Sequence, residues 1–231
     1  MPFYKIGIVV ADESEFYPFV DIIEKKEKTD TPFKDAVRFF IGKTEVTAIL
    51  SGIGKVNAAS AAMYLVCAGC DAILNFGLSG GLGGVYRGQF VLPEKFIEHD
   101  FDLTVFGYKP CEKPGQAYVY SADEGIISAF EAASKAARSR MAVCGDRFIS
   151  DEASRDYLID TFSASSCDME TAAIASVCHI TGIPFACVRR ISDDASENAQ
   201  ESYGEMNENE GATLGNVFLK CLKSVCAVSG S

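Results

Sequence analysis

Short apolar runs alternate along the chain with stretches in which apolar residues recur at helical spacing. Residues 4–11 are rich in Ile and Val and end at acidic positions, which predicts a buried strand. Residues 15–26 place their apolar side chains on one face and predict a helix. The runs at 36–41 and 44–50 flank Gly42-Lys43, a pair typical of a tight turn, so these two strands are expected to be antiparallel.

The same pattern continues to the end of the chain and predicts further elements. Strands alternating with helices predict an α/β fold in which helices cover one largely parallel sheet. The polar loops at 106–117 and 194–212 are too short to link domains and no segment repeats, so residues 1–231 are predicted to form a single domain. Further strands are expected at 72–76, 88–97, 141–144 and 184–191, and helices at 57–67, 122–136, 154–162, 169–180 and 213–226.

The composition restricts the classes of partner. The chain has 231 residues, 48% of them hydrophobic, which is enough apolar surface for a buried core and excludes wholesale disorder. Its formal charge of −11 argues against nucleic acids and anionic membranes as partners, because both would repel it. No apolar run reaches the length of a membrane span, and acids soon follow the short N-terminal run, so we predict a cytoplasmic protein.

Nine cysteines are scattered through the chain, mostly in apolar surroundings. This distribution predicts reduced, buried thiols in a cytosolic protein. Cys67 and Cys70 have the C-x-x-C spacing of redox or zinc sites, but no second pair of cysteines or histidines completes a set of four zinc ligands. The sequence therefore predicts neither a bound metal nor a cofactor.

The segment Gly77-Leu78-Ser79-Gly80-Gly81 follows a predicted strand and matches the G-x-S-x-G nucleophile elbow of the α/β hydrolases. That chemistry requires a histidine base. His179 lies in an apolar helix, where a packed side chain is expected, and His99 ends a strand, where an exposed one is expected. The requirement for a complete triad disfavours a serine hydrolase. Glycines at a strand end more simply allow a ligand to approach the main chain.

Acidic residues follow predicted strands or begin predicted helices near a second glycine-rich loop, 51–55, which lacks the spacing of a Walker A motif. Each acid has an ordinary alternative as a helix cap, a first-turn residue or a turn residue. Together, acids around glycine loops indicate a site for a neutral or positively charged transition state rather than for phosphate. The residues concerned are Glu13, Glu15, Asp168, Glu170, Asp193 and Asp194.

A set of short motifs occurs in an order typical of one family. The set resembles the 5′-methylthioadenosine/S-adenosylhomocysteine nucleosidases of the purine nucleoside phosphorylase superfamily, from about residue 4 to about residue 220. The resemblance implies a three-layer α/β/α sandwich with a mixed central sheet, and hydrolysis of the adenine–ribose bond of a small nucleoside. The motifs are Lys5-Ile-Gly-Ile-Val, Ser51-Gly-Ile-Gly-Lys-Val-Asn-Ala-Ala, Gly77-x-x-Gly-Gly-Leu, Phe106-Gly-Tyr108, Gly145-Asp-x-Phe-Ile149, Met169-Glu170 and Arg190-Ile-Ser-Asp193.

The resemblance implies roles for three acids and one arginine. Asp193 matches the acid that protonates purine N7, which requires a raised pKa from burial or from a neighbour such as Asp194. Glu170 matches the carboxylate that binds the ribose hydroxyls and stabilises positive charge on the sugar. Glu15 matches the residue that orients or deprotonates the attacking water, and Arg189 an arginine near that water. Further substrate contacts implied in the same way are Ser79, Gly80 and Met169.

The remaining implied contacts surround the purine and the 5′ substituent. Phe148 matches a ring that stacks on the purine, and Ile149 a main-chain partner of its edge. Ile53 matches a wall of the 5′ pocket. Phe106 and Tyr108 match a loop that, in relatives, reaches the 5′ pocket of the neighbouring subunit, so a homodimer is expected.

Three positions depart from the family pattern. Leu78 stands where a serine is usual, Asp12 stands where Met or a similar residue is common, and Asp168 stands where Glu or a Val-like residue is commoner. The three central acids are unchanged, but the departures affect the precise substrate and the level of activity. They also leave open a second class of function, that of a nucleoside-binding protein without catalysis.

A phosphate-dependent purine nucleoside phosphorylase of the same fold is the nearest alternative enzyme. Phosphorylases hold phosphate with arginines, whereas the first loop of this chain, 10–15, has three acids and no arginine. At an intermediate dielectric, such acids disfavour a phosphate dianion by several kcal/mol. Water is therefore the expected nucleophile.

Overall fold

The computed structural model describes residues 3–227, without the side chains of residues 208 and 209. The predicted single domain includes residues 1–2 and 228–231, which lie outside this range, and remains a prediction. Within the described residues, ten strands form one sheet. They are β1 (Lys5–Val10), β2 (Lys26–Lys28), β3 (Asp35–Ile41), β4 (Thr44–Leu50), β5 (Ala72–Gly81), β6 (Phe90–Glu98), β7 (Val119–Ser121), β8 (Ala137–Cys144), β9 (Ser166–Asp168) and β10 (Phe185–Asp193).

Helices connect most of these strands. Residues Thr104–Phe106 form a short 3₁₀ turn in the connection that follows β6. Among residues 3–227, no helix combines the length and the apolar character that crossing a bilayer requires. The helices are α1 (Glu13–Asp21), α2 (Lys55–Cys67), α3 (Glu124–Ala133), α4 (Glu152–Phe162), α5 (Thr171–Thr181), α6 (Ala199–Asn209) and α7 (Gly211–Ala227).

The sheet contains parallel and antiparallel pairs. Strands β4, β1, β5 and β10 are parallel neighbours in that order. Strands β3 and β4 form the antiparallel hairpin that the sequence predicts, and β2 extends it at the edge. Strand β6 runs antiparallel to β10 and parallel to β8, while β9 pairs with both β8 and β5. The predicted mixed sheet is confirmed.

Apolar side chains on the two faces of the sheet bury two layers of helices. On one face, Phe19 of α1 and Phe218 of α7 pack around Phe76 of β5, and the rings of Phe76 and Phe218 stack at 4.3 Å. On the other face, α2 and α5 pack through small residues such as Ala61 and Ala172. Each fully buried phenylalanine contributes roughly 1.5–3 kcal/mol. The three-layer α/β/α fold is therefore confirmed.

Several boundaries differ from those predicted. The helix predicted at 15–26 begins at Glu13, because the Asp12 carboxylate caps its first turn, and ends at Asp21. The short strands β2, β7 and β9 and the polar helix α6 were not predicted. Three residues are too few to show a period of two, and the few apolar residues of α6 do not mark a helical face in the sequence.

The nine cysteines are all unpaired, and eight of them are buried. Cys67 is exposed, whereas Cys70 is buried, so the C-x-x-C pair forms no disulfide. Within residues 3–227, no cluster of His, Cys, Asp and Glu has the geometry of a metal site. The prediction of reduced, mostly buried thiols is confirmed, with Cys67 as the exception.

Candidate active site

A cavity of about 200 Å³ opens where several parallel strands end. Strands β1, β5 and β10 deliver residues to it at their carboxyl ends, the usual location of ligand sites in open α/β sheets. Eight predicted site residues line it: Glu15, Ser79, Gly80, Phe148, Ile149, Met169, Glu170 and Arg189. Asp193 and Ile53 line it as well.

Glu15 lies in the first turn of α1 and is 5% exposed. Its Oε1 accepts a hydrogen bond from the main-chain N–H of Leu78 at 2.7 Å. Burial raises the pKa of Glu15 to about 8, although Arg189 and the Leu78 hydrogen bond oppose the rise. The nearby carboxylates of Glu170 and Asp12 raise it further. A carboxyl group with this pKa can exchange a proton with water near neutral pH.

Arg189 is the buried cation at the centre of the cavity. Its Nε donates to Ser79 Oγ at 2.8 Å and its Nη1 to Asn75 Oδ1 at 2.9 Å, while Nη2 donates to the main-chain oxygen of Leu78. Its Nη2 also lies 3.9 Å from Glu170 Oε2. These bonds fix the guanidinium plane beside the acids.

Glu170 immediately precedes α5. Its Oε1 accepts the N–H of Gly54 at 2.9 Å, so the loop after β4 touches the centre of the site. Gly54 has φ of +100°, a conformation that favours glycine. Burial raises the pKa of Glu170 to about 7, while Arg189 lowers it and Asp168 raises it. Both readings of Asp168 are observed, since it lines the cavity and its Oδ1 accepts the N–H groups of Glu170 and Thr171.

Asp193 ends β10 and is 2% exposed. Its Oδ2 accepts a hydrogen bond from Ser192 Oγ at 2.6 Å, and its Oδ1 accepts the N–H of Ala195 at 2.9 Å. Burial raises the pKa of Asp193, and the adjacent Asp194 adds to the rise, against the two hydrogen bonds. The effect expected of Asp194 is therefore present. Asp193 favours its protonated form more than an ordinary surface aspartate does.

Phe148 and Ile149 form a wall of the cavity next to this acid. Phe148 is 41% exposed and meets the ring of Tyr203 edge to face at 5.6 Å. The main-chain N–H and C=O of Ile149 have no hydrogen-bond partner among the groups that the structure describes. An aromatic face and a free pair of main-chain donor and acceptor are suited to binding a flat heterocycle along its edge.

Phe106 and Tyr108 are the two predicted site residues that do not line this cavity. They lie in the loop after β6, where Phe106 is 74% exposed. Their placement in a neighbouring subunit's site remains a prediction.

The segment 77–81 does not form a nucleophile elbow, in agreement with the preference against a serine hydrolase. Ser79 lies inside β5, which continues to Gly81, so the glycine-rich segment is a strand rather than a sharp turn. The Ser79 hydroxyl is buried and bound by Arg189, and neither histidine lines the cavity. The expectations for the histidines are reversed: His179 is exposed, and His99 is partly buried, with an Nε2 that has no partner among residues 3–227.

Some cavity residues were missed by the sequence analysis. Tyr203 comes from the unpredicted helix α6, and Cys167 from the unpredicted strand β9. Asn75 holds Arg189 from within β5, where a single polar residue in the apolar run 72–76 was the available signal. Arg147 also lines the cavity and pairs with Asp151 at 3.1 Å.

Comparisons with known proteins agree with this geometry. The family model of the phosphorylase superfamily matches residues 5–223. A 5′-methylthioadenosine/S-adenosylhomocysteine nucleosidase of Geobacillus sp. (strain WCH70) is 31% identical over 229 residues, which cover 96% of this chain and 99% of the relative.

Two solved structures are also similar. The enzyme of the same name from Neisseria meningitidis, in complex with methylthio-immucillin-A, has a TM-score of 0.89 at 28% identity and covers 96% of this chain and 99% of its own. The one from S. pneumoniae, with a transition-state inhibitor, has a TM-score of 0.88 at 26% identity over the same shares. The chain therefore belongs to the phosphorylase superfamily, in the family of the 5′-methylthioadenosine/S-adenosylhomocysteine nucleosidases.

Proposed function

We propose that this enzyme hydrolyses the N-glycosidic bond of 5′-methylthioadenosine, S-adenosylhomocysteine or a related adenosine, releasing adenine and a thioribose product. The observation that carries the proposal is the position of a buried, protonation-prone acid, Asp193, in the same cavity as Glu15, Glu170 and Arg189. Such an activity suits a cytoplasmic role in nucleoside catabolism and methionine salvage.

Departure of the base needs a proton, because the bond between C1′ and N9 breaks with both electrons moving to the purine. Asp193 donates its proton to N7 as this bond lengthens, so that adenine leaves as a neutral molecule. Ser192 and Ala195 hold the two carboxyl oxygens in place. Phe148 contacts the purine face, while the unpaired main chain of Ile149 binds its edge.

The sugar becomes positively charged as the base leaves. Glu170 accepts hydrogen bonds from the ribose hydroxyls and stabilises this charge. Glu15 takes a proton from the attacking water as the water oxygen bonds to C1′; the N–H of Leu78 holds Glu15 in position, and Arg189 lies beside Glu170. Its raised pKa makes Glu15 a suitable base near neutral pH, because transfer of a proton to it is then favourable.

Water is the nucleophile that this cavity favours over phosphate. Its cations are Arg189 and Arg147. Arg189 already donates three hydrogen bonds and lies 3.9 Å from carboxylate oxygens of Asp168 and Glu170, and Arg147 pairs with Asp151. A phosphate dianion would therefore meet the acids without a free arginine to hold it.

The homodimer belongs to the same proposal. Phe106 is 74% exposed and Val105, beside it, 85% exposed, and no other part of the described chain covers them. Large apolar side chains that are exposed next to each other mark interfaces more often than singly exposed ones do. Insertion of Phe106 and Tyr108 into a neighbouring 5′ pocket would bury them and complete the wall that Ile53, 51% exposed, begins.

The test is chromatographic detection of free purine from 5′-methylthioadenosine, S-adenosylhomocysteine and inosine, each with and without phosphate. We expect adenine from the two thioethers at rates that do not depend on phosphate. An absolute requirement for phosphate would establish a phosphorylase. Tight adenine binding without turnover of any adenosine thioether would establish a binding protein.

A further inference from the structure

The order of the strands sets the direction in which a nucleoside lies in the cavity. Asp193 ends β10, and the loops that carry Asp12 and Ile53 follow β1 and β4. In the sheet, β10, β5, β1 and β4 are successive neighbours. Three strand spacings amount to roughly 14 Å, about the length of a nucleoside with its 5′ substituent.

Ile53 follows β4 at the far end of this row, and Asp12 follows the neighbouring strand β1. Val10 pairs with Leu50 across β1 and β4, and Ser51 N donates to Val10 O at 2.8 Å, so the two loops leave the sheet together. Both residues line the cavity. With the purine at Asp193, as the proposed function requires, the 5′ substituent extends toward Asp12.

The Asp12 carboxylate keeps one oxygen available. Its Oδ1 accepts Ser14 N at 2.8 Å and Ser14 Oγ at 2.6 Å. Its Oδ2 accepts no hydrogen bond from any group that the structure describes. No described cation pairs with Asp12, whereas the exposed Glu13 beside it pairs with Lys34.

The described surroundings of Asp12 offer no free cation to offset its charge. Arg189, the buried cation of the cavity, is already bound by Ser79 and Asn75. An additional carboxylate at this end would be repelled, whereas a hydroxyl or ammonium group would find a free acceptor.

We propose that Asp12 is a specificity-determining residue, which favours nucleosides whose 5′ substituent ends in a hydrogen-bond donor or a cation and disfavours those that end in a carboxylate. This rests on the proposed function. Rejection of a partner through an unpaired like charge is a common device of specificity. The proposal also gives a role in substrate selection to Asp12, a position at which this chain departs from the family pattern.

The test compares two substrates of nearly the same shape, 5′-(carbamoylmethylthio)adenosine and 5′-(carboxymethylthio)adenosine. We expect the wild-type enzyme to prefer the carbamoyl compound by about tenfold in kcat/KM, or about 1.4 kcal/mol. In Asp12→Asn this ratio should fall to near one. Asparagine is as good a helix cap as aspartate, so α1 is retained.

Glu13→Gln is the matched control, because it removes one negative charge from the same helical turn but faces Lys34 rather than the cavity. It should keep the wild-type ratio. A wild-type ratio near one, or an equal ratio in wild type and Asp12→Asn, would overturn the proposal.

If the proposed function is wrong, the wild-type protein will release no adenine from 5′-methylthioadenosine. The same two compounds are then compared by calorimetric binding. A preference for the carbamoyl compound that Asp12→Asn removes supports the role of Asp12 even without turnover, and equal affinities refute it.

Discussion

Replacing Glu15 with glutamine should abolish hydrolysis and, at the same time, make the protein more resistant to alkaline unfolding. Glutamine has the shape of glutamic acid and keeps a carbonyl oxygen for the N–H of Leu78, which Glu15 binds at 2.7 Å. It cannot ionise. The buried carboxyl group, in contrast, must lose its proton inside the folded protein as the pH rises.

The size of the effect follows from the difference between the folded and unfolded states. Burial raises the pKa of Glu15 from 4.5 to about 8, which corresponds to about 5 kcal/mol at 1.36 kcal/mol per pH unit. Between these values the unfolded chain has already lost the proton that the folded chain retains. The stabilisation is therefore complete below pH 4.5 and is lost as the pH rises through about 8.

The assay is urea unfolding followed by circular dichroism, since the chain has no tryptophan. From pH 6 to pH 9, the wild type should lose about 2.5 kcal/mol more unfolding free energy than Glu15→Gln, at one fixed protein concentration. Glu13→Gln, at an exposed position in the same turn, should follow the wild type. Parallel pH profiles for wild type and Glu15→Gln would show that Glu15 is not buried in its protonated form.

Three further substitutions test the geometry of the site. Gly77→Ala places a Cβ 2.6 Å from Arg189 Nη1 and should lower kcat/KM by roughly 100-fold, whereas Gly204→Ala, with no atom within 4 Å of the new Cβ, should leave it unchanged. Ser79→Ala should retain hydrolysis but lower the unfolding free energy by about 1–3 kcal/mol, because Arg189 Nε loses its acceptor; lost hydrolysis would revive the serine mechanism. Phe106→Ala should raise KM for 5′-methylthioadenosine without changing kcat in steady-state assays, and an unchanged KM would contradict insertion into a neighbouring site.

The sequence predicts the main strands and helices because most of them are continuous apolar or periodic segments. Residues 44–50 form β4 with the predicted boundaries, and the hairpin at Gly42 is present. The edge strand Lys26–Lys28 is fully exposed, so it leaves no burial pattern to read. The sequence predicts the end of β5 too early, at residue 76, because three of the next five residues are glycines, although the neighbouring strand β10 holds this segment extended.

The family motifs predict the catalytic residues, but they do not predict the other residues that line the cavity or hold the catalytic residues in place. Asp193, Glu170 and Glu15 occupy one cavity as expected, because parallel strands bring their carboxyl ends to the same edge. Tyr203 reaches the cavity from a helix with few apolar residues, and Asn75 acts through Arg189, a partner 114 residues away in sequence. Long-range pairs of this kind follow from the packing of distant segments and leave no local pattern.

The acids that face the cavity differ in their pKa values from the acids of the surface because they are buried. Of the excess acids that give the charge of −11, only a few face the cavity, and burial rather than their number raises their pKa values. Arg189 moderates this effect, since it lowers the pKa of both Glu15 and Glu170. The site thus combines an acid with a raised pKa next to the base with two further carboxyl groups for the sugar and the water.

The central claim is that Asp193 protonates the departing purine in a reaction with water. The direct measurement is adenine release from 5′-methylthioadenosine in phosphate-free buffer by wild type and Asp193→Asn. We predict that the wild type releases adenine and that the variant is slower by about 100- to 10,000-fold while still binding the nucleoside. Release by Asp193→Asn at the wild-type rate, or no release by the wild type until phosphate is added, would contradict the account.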